Sequence, residues 1–219
     1  MHILITGANR GIGLALCEYY CAQGHHVTAV CRQNSAALRA TGAEIIDGID
    51  VSDSTSVARL AGSLNSQEID ILINNAGILR SETLNDFNQA TIEQQFLVNA
   101  LAPINVTQTL LGLLKSGSKV ALITSRMGSI TDNSSGGYYG YRMSKAALNA
   151  GAKSLAIDLA SHGISVAILH PGFVQTDMVG HAGDISAQTA AERLAARIDD
   201  LNTENSGTFW HSNGEELPW

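Results

Sequence analysis

The sequence predicts a doubly wound α/β domain: one parallel sheet of about seven strands with helices on both faces. Three observations lead there. Several short runs are apolar throughout rather than alternating, as strands covered on both faces are. These runs alternate with segments of helical period, the pattern of parallel strands joined by right-handed helical crossovers. The chain has 219 residues, of which 45% are hydrophobic and 15% charged. That is enough for one such domain, and no linker, repeat or low-complexity stretch divides it.

The elements follow in order. HILIT, residues 2–6, is a short buried strand, followed by a glycine-rich turn and a helix over about 12–23. HVTAVC, 26–31, is the second strand, and 44–49 the third. Residues 56–65 are helical, with Ser52, Asp53 or Ser54 available as caps. IDILIN, 69–74, is the fourth strand, and a long helical region spans about 91–114, interrupted only by Pro103. KVALIT, 119–124, is the fifth strand, and an Ala-rich helix over 141–161 ends at His162-Gly163, a suitable stop. ISVAIL, 164–169, makes the sixth strand and 207–210 the seventh.

Charge and cysteine usage narrow the function classes. A net charge of −7 argues against nucleic acid as a partner, because phosphate binding needs clustered Lys and Arg. MHILITGANR has no signal-peptide character, and no run approaches eighteen apolar residues, so no membrane span is expected. Cys17, Cys21 and Cys31 lack zinc-type spacing and read as small buried hydrophobes, so no metal is expected. A cytoplasmic location is the simplest reading.

Between the first strand and the first helix stands TGANRGIG, Thr6 to Gly13. Its glycines, Gly7, Gly11 and Gly13, permit a tight turn and let backbone N–H groups and the helix N-terminus meet a pyrophosphate. The turn marks the domain as Rossmann-type. An NAD site usually offers a carboxylate to the adenosine ribose near the end of the second strand, yet no Asp or Glu lies between Glu18 and Glu44. Arg32 stands there instead, and Arg10 lies within the turn. Two guanidiniums can clamp a 2′-phosphate, so NADP(H) is expected over NAD(H).

The ordered set of motifs resembles the short-chain dehydrogenase/reductase family across nearly the whole chain. TGANRGIG is its glycine turn, Asn74-Asn75-Ala76-Gly77 its NNAG motif after strand four, and Ser125 the serine ending strand five. Tyr141 and Lys145 form Y-x-x-x-K, and Pro171, Gly172, Val174 and Thr176 a PGxVxT segment. The ending GTFWHSNGEELPW looks like the C-factor and sniffer carbonyl reductase branch. The resemblance implies reduction of a carbonyl to an alcohol by hydride transfer, or the reverse oxidation, with tyrosine as general acid/base.

Three tyrosines crowd GGYYGYRMSK, but only Tyr141 has a lysine four residues on, one helical turn away. An ammonium there favours the phenolate of a group whose ordinary pKa is about 10. The resemblance further implies Lys145 on the nicotinamide ribose, Ser125 on the substrate oxygen, and Asn99 holding a water that links Lys145 to solvent. It places Gly7, Asn9, Arg10, Gly11, Ile12 and Gly13 at the pyrophosphate and Asp50 and Val51 at the adenine. Asn75, Ala76 and Gly77 line the next stretch, and Pro171, Gly172, Val174 and Thr176 hold the carboxamide side. Asp50 can equally be a turn or capping aspartate in DVSD, and Asn99 an ordinary helical polar residue.

Two departures stand out. Ser125 precedes Tyr141 by sixteen residues, more than is common in the family, with the excess in TDNSSGG. Ser129, Ser134 and Ser135 are possible substitutes for Ser125, and Tyr138 and Tyr139 either line the pocket or pack. The substrate lid, expected near 177–200 within the single domain 1–219, must be short, which predicts an open site for broad or bulky carbonyls. A homo-oligomer, dimer or tetramer, is expected through the helices after Thr91 and Tyr141. The alternative function is a nucleotide-binding regulatory or signalling protein of the C-factor type with incidental catalysis.

Overall fold

A computed structural model describes residues 1–219. Seven parallel strands form one sheet: β1 (His2–Thr6), β2 (His26–Val30), β3 (Glu44–Ile46), β4 (Ile69–Asn74), β5 (Leu114–Ile123), β6 (Ser165–His170) and β7 (Phe209–His211). Their order across the sheet is β3-β2-β1-β4-β5-β6-β7. The chain starts in the middle, winds out to β3, then returns to lay β4 on the other side of β1. That reversal opens a crevice beyond the carboxyl ends of β1 and β4, where doubly wound sheets bind ligands.

The central strands are buried on both faces, which explains their unbroken hydrophobicity. Ile3 and Ile5 of β1 face one layer, with Leu16 and Tyr20 of α1 (Gly11–Ala22), Leu38 of α2 (Ala36–Ala40) and Leu194 and Ile198 of α7 (Ala187–Asp199). Leu4 faces the other layer, with Val57 and Leu60 of α3 (Ser54–Ser63), Val106 of α5 (Ala102–Thr109) and Leu148 and Leu159 of α6 (Tyr139–Ala160). Cys17 and Cys31 are buried and Cys21 half-buried, all as free thiols. No helix is long and apolar enough to cross a membrane.

Four segments differ from the sequence expectation. The third strand stops at Ile46, because Gly48 turns the chain at a φ of +71°. The helix expected over 91–114 is α4 (Gln89–Phe96), one π-helical turn (Leu97–Leu101) and α5, and its last residue opens β5. Pro103 has no N–H to give the Asn99 carbonyl four residues back, and the helix widens just ahead of it. α2 is an element the sequence pattern does not signal: it has only five residues, capped by the Ser35 hydroxyl, which accepts from Leu38 N–H. Most of the expected lid is α7, whose Ala190, Ala191, Leu194, Ala195 and Ile198 are buried. Residues 177–186 are the part of the expected lid that lies outside α7.

Candidate active site

The glycine turn is built by close packing. A Cβ on Gly7 would lie 2.8 Å from Ala76 Cα, and one on Gly13 would lie 2.3 Å from the Gly7 carbonyl oxygen. Thr6 and Asn75 stitch the turn to the NNAG segment. The Thr6 hydroxyl oxygen accepts from the N–H groups of Asn75 (3.0 Å) and Ala76 (3.1 Å). Asn75 Nδ2 donates to the carbonyls of Thr6 (3.0 Å) and Gly7 (3.2 Å). Arg10 precedes α1 without a side-chain cap, so the first-turn N–H groups of this twelve-residue helix face the crevice free to meet an anion.

The other end of the crevice holds Ser125, Tyr141, Lys145 and Asn99, all buried. Ser125 lies just past β5, and its Oγ accepts from Met127 N–H at 3.1 Å. That leaves its O–H to donate to the Tyr141 phenol beside it, whose pKa it pulls down. Burial acts more strongly and leaves that phenol above its ordinary value. The Y-x-x-x-K spacing predicts that the lysine lowers it; instead the Lys145 ammonium lies 5.8 Å from the ring centroid and donates to the Ile123 carbonyl at 2.9 Å. Burial also brings Lys145 down to about 8. Both groups are thus pushed toward their neutral forms by desolvation.

Asn99 sits in the π turn with no exposed surface. Its Oδ1 accepts from Ile78 N–H (2.8 Å), and its Nδ2 donates to the Ile78 carbonyl (2.8 Å) and to Ser144 Oγ (3.1 Å). Ser144 in turn donates to the Tyr141 carbonyl at 2.8 Å. The Asn99 side chain is committed to these bonds. Of the substitutes for Ser125, Ser134 and Ser135 are exposed, and Ser129 is buried with its Oγ accepting from Asp132 N–H.

The remaining residues sort by position. Thr176 lies against the glycine turn, its Cγ2 3.3 Å from where a Gly11 Cβ would stand. Val174 is buried and bridges to Ile185. The Pro171 carbonyl accepts from the Ser212 hydroxyl at 2.8 Å, and Gly172 takes a φ of +101°. Arg32 and Arg10 are exposed, each near one acid: Asp50 at 3.9 Å and Asp177 at 3.7 Å. Asp50 Oδ1 accepts from the Ser52 hydroxyl (2.6 Å) and N–H (2.9 Å), which holds its carboxyl below the usual range. Its turn-forming role is therefore present in the structure. Val51 and Ala76 line a small cavity with Thr6, Asn74, Val98 and Pro103.

The family model for short chain dehydrogenases matches residues 1–186. The chain belongs to the short-chain dehydrogenase family. Within it, the chain is 36% identical to the 1-hydroxy-2-glutathionyl-2-methyl-3-butene dehydrogenase of Rhodococcus sp. (strain AD45), covering 99% of each chain. It is 44% identical to the C-signal protein of Myxococcus xanthus, over 69% of this chain and 93% of that one. Among solved structures, the NADPH-bound carbonyl reductase from chicken fatty liver superposes with a TM-score of 0.91 at 28% identity, covering 100% and 98%. The carbonyl reductase Sniffer of D. melanogaster does so with 0.91 at 30% identity, covering 100% and 99%. The C-factor and sniffer branch is thus where this short-chain dehydrogenase falls.

Sequence reasoning missed two buried polar residues beside the site, Glu82 and Gln95. A lone Glu in a loop and a lone Gln on a helix carry no periodic signal. Only the fold brings them to the start of α6.

Proposed function

We propose that this short-chain dehydrogenase reduces aldehydes or ketones with NADPH, and can run the reverse oxidation. The observation that carries the reading is a buried Tyr141 phenol beside the Ser125 hydroxyl, at the same sheet end as an uncapped helix N-terminus behind a glycine turn. The turn suits a dinucleotide, since its close-packed glycines hold the chain tight behind the uncapped N-terminus of α1, where a pyrophosphate would meet backbone N–H groups. Gly7, Asn9, Arg10, Gly11, Ile12 and Gly13 would hold its pyrophosphate, and Asp50, Val51, Asn75, Ala76 and Gly77 its adenosine side. Pro171, Gly172, Val174 and Thr176 would hold its carboxamide. When bound, the nicotinamide supplies the hydride.

The protein's own residues do the rest. Ser125 and Tyr141 donate hydrogen bonds to the substrate oxygen, an oxyanion-type contact that strengthens as charge develops there. Tyr141 passes its phenolic proton to that oxygen as the carbon is reduced. Lys145 meets the nicotinamide ribose and restores the proton through a water on the Asn99 carbonyl. Arg32 and Arg10 favour a 2′-phosphate. Their contacts with Asp177 and Asp50 are long and exposed, so the guanidiniums are free to turn to a phosphate. With only residues 177–186 left as cover, the site accepts broad or bulky carbonyls.

The likeness to C-signal favours a second reading, a nucleotide-binding signalling protein with incidental catalysis. The complete Asn99, Ser125, Tyr141 and Lys145 set favours the enzyme. A homo-oligomer would cover Phe96, Leu97, Leu101, Met143 and Ile157, all exposed on the α4–α5 and α6 segments. A reduced nucleotide pool and free thiols suit the cytoplasm. Fluorescence titration with NADPH and NADH, repeated on Arg32→Asp, tests the cofactor reading. NADPH should bind tighter, and the substitution should weaken it about 10- to 100-fold, the worth of a charge-assisted hydrogen bond. Tighter NADH binding to the unmodified protein would refute the preference.

A further inference from the structure

The first turn of α6 carries Tyr141 as its third residue, yet its own sequence does not cap it. Tyr138, the preceding residue, is held in the left-handed region at φ +51° and offers no side-chain cap. A helix so begun leaves its first N–H groups to find other partners, and such ends fray. Here the partner comes from 58 residues away: Glu82 Oε2 accepts from Gly140 N–H at 3.1 Å, and the Glu82 carbonyl accepts from Tyr138 N–H at 2.8 Å.

Glu82 is itself fixed from behind. Its Oε1 accepts from the Thr91 hydroxyl at 2.7 Å and from Gln95 Nε2 at 2.8 Å, both on α4. Gln95 Oε1 accepts from Arg80 N–H at 2.8 Å. Glu82 is 2% exposed and Gln95 0%, so neither is a surface contact that water could replace. Gly140 leaves room for this arrangement, since a Cβ there would come within 2.4 Å of Gln95 Nε2. A carboxylate at a helix N-terminus also matches the helix dipole.

We propose that Glu82 is a positioning residue for the reaction: a cap supplied in trans, held by Gln95 and Thr91, that keeps the first turn of α6 wound and so fixes the Tyr141 phenol against Ser125. The inference rests on the reading of Tyr141 as the proton donor. It places the control of Tyr141 in the loop after the NNAG segment and in α4, neither of which touches the reacting atoms.

The donor and acceptor pattern gives a test with a built-in rescue. In Glu82→Gln, an oxygen facing Gly140 N–H leaves an amide group opposed to Gln95 Nε2, donor against donor. The double variant E82Q/Q95E restores the contact between positions 82 and 95, because a carboxylate at position 95 can accept both from Arg80 N–H and from the new amide at position 82, although it gives up the 3.2 Å bond from Gln95 Nε2 to the Thr91 carbonyl. Steady-state kinetics with NADPH and a carbonyl, and amide exchange across 138–142, are measured on wild type and both variants. E82Q should lower kcat about 10- to 100-fold, as expected for a misplaced reacting group. The KM for NADPH should stay near wild type, exchange across 138–142 should quicken, and the double variant should recover both kcat and protection. Wild-type kcat and exchange in E82Q would overturn the proposal, as would a double variant no better than E82Q, or kcat and NADPH affinity falling in parallel. Absence of turnover in wild type would refute the reductase reading alone, and amide exchange would still decide the role of Glu82.

Discussion

The Y-x-x-x-K spacing of Tyr141 and Lys145 predicts that the ammonium acidifies the phenol, but desolvation governs both. The phenol lies above its ordinary value and the ammonium falls to about 8. Burial raises the phenol above its ordinary value, so it keeps its proton at neutral pH, the form that a proton donor needs. The sign gives a pH prediction. Reduction should hold level through neutral pH and decline only on the alkaline side, as the phenol loses its proton. Oxidation, which needs the phenolate, should rise with pH over the same range. Initial rates in both directions across a pH series check this, and a reductive rate that climbs with pH through neutrality would contradict it. The spacing of Tyr141 and Lys145 was legible in the sequence. The direction of the phenol shift was not, because it depends on how completely the fold buries the pair.

Helix starts and ends carry the site at the next scale. α1 presents uncapped N–H groups behind a turn with no spare space, so Gly13→Ala should strain the turn and displace the N–H groups that would meet a pyrophosphate. Its Cβ would meet the Gly7 carbonyl oxygen at 2.3 Å and Asn75 Nδ2 at 2.6 Å. Stability should fall by about 1–3 kcal/mol, as overpacking does. NADPH binding should weaken at least about tenfold, a loss of ~1.4 kcal/mol or more. Thermal unfolding and NADPH titration measure the two effects, and normal binding would show that the turn does not cradle the cofactor. Strands β1, β4 and β6 could be read from their sequences to within a residue because each carries a continuous apolar stretch, Ile3–Ile5, Ile71–Ile73 and Val166–Leu169. The π turn at Asn99 could not, since Pro103 signals a break in hydrogen bonding without saying which way the helix yields. α7 was readable in principle from its buried Ala190, Leu194 and Ile198 spacing; the lid expected in that region obscured it. The cap on α6 was beyond reach, because it joins residues 58 apart through one loop glutamate.

At the scale of the molecule, the strand order places every one of these parts at the carboxyl end of one sheet, around the crevice where the winding reverses. Glycine turn, NNAG segment, Ser125 and the start of α6 arrive there from separate crossovers. The likeness to carbonyl reductases and to C-signal leaves turnover as the deciding property. The central measurement is therefore NADPH oxidation by wild type and Tyr141→Phe against aldehydes and ketones of graded size. The account predicts turnover by wild type that persists with the bulkier carbonyls. It predicts a fall of about 10²- to 10⁴-fold in kcat for Tyr141→Phe, the usual worth of a positioned acid, with NADPH binding retained. Firm NADPH binding without turnover of any carbonyl, or equal rates in the two proteins, would contradict it.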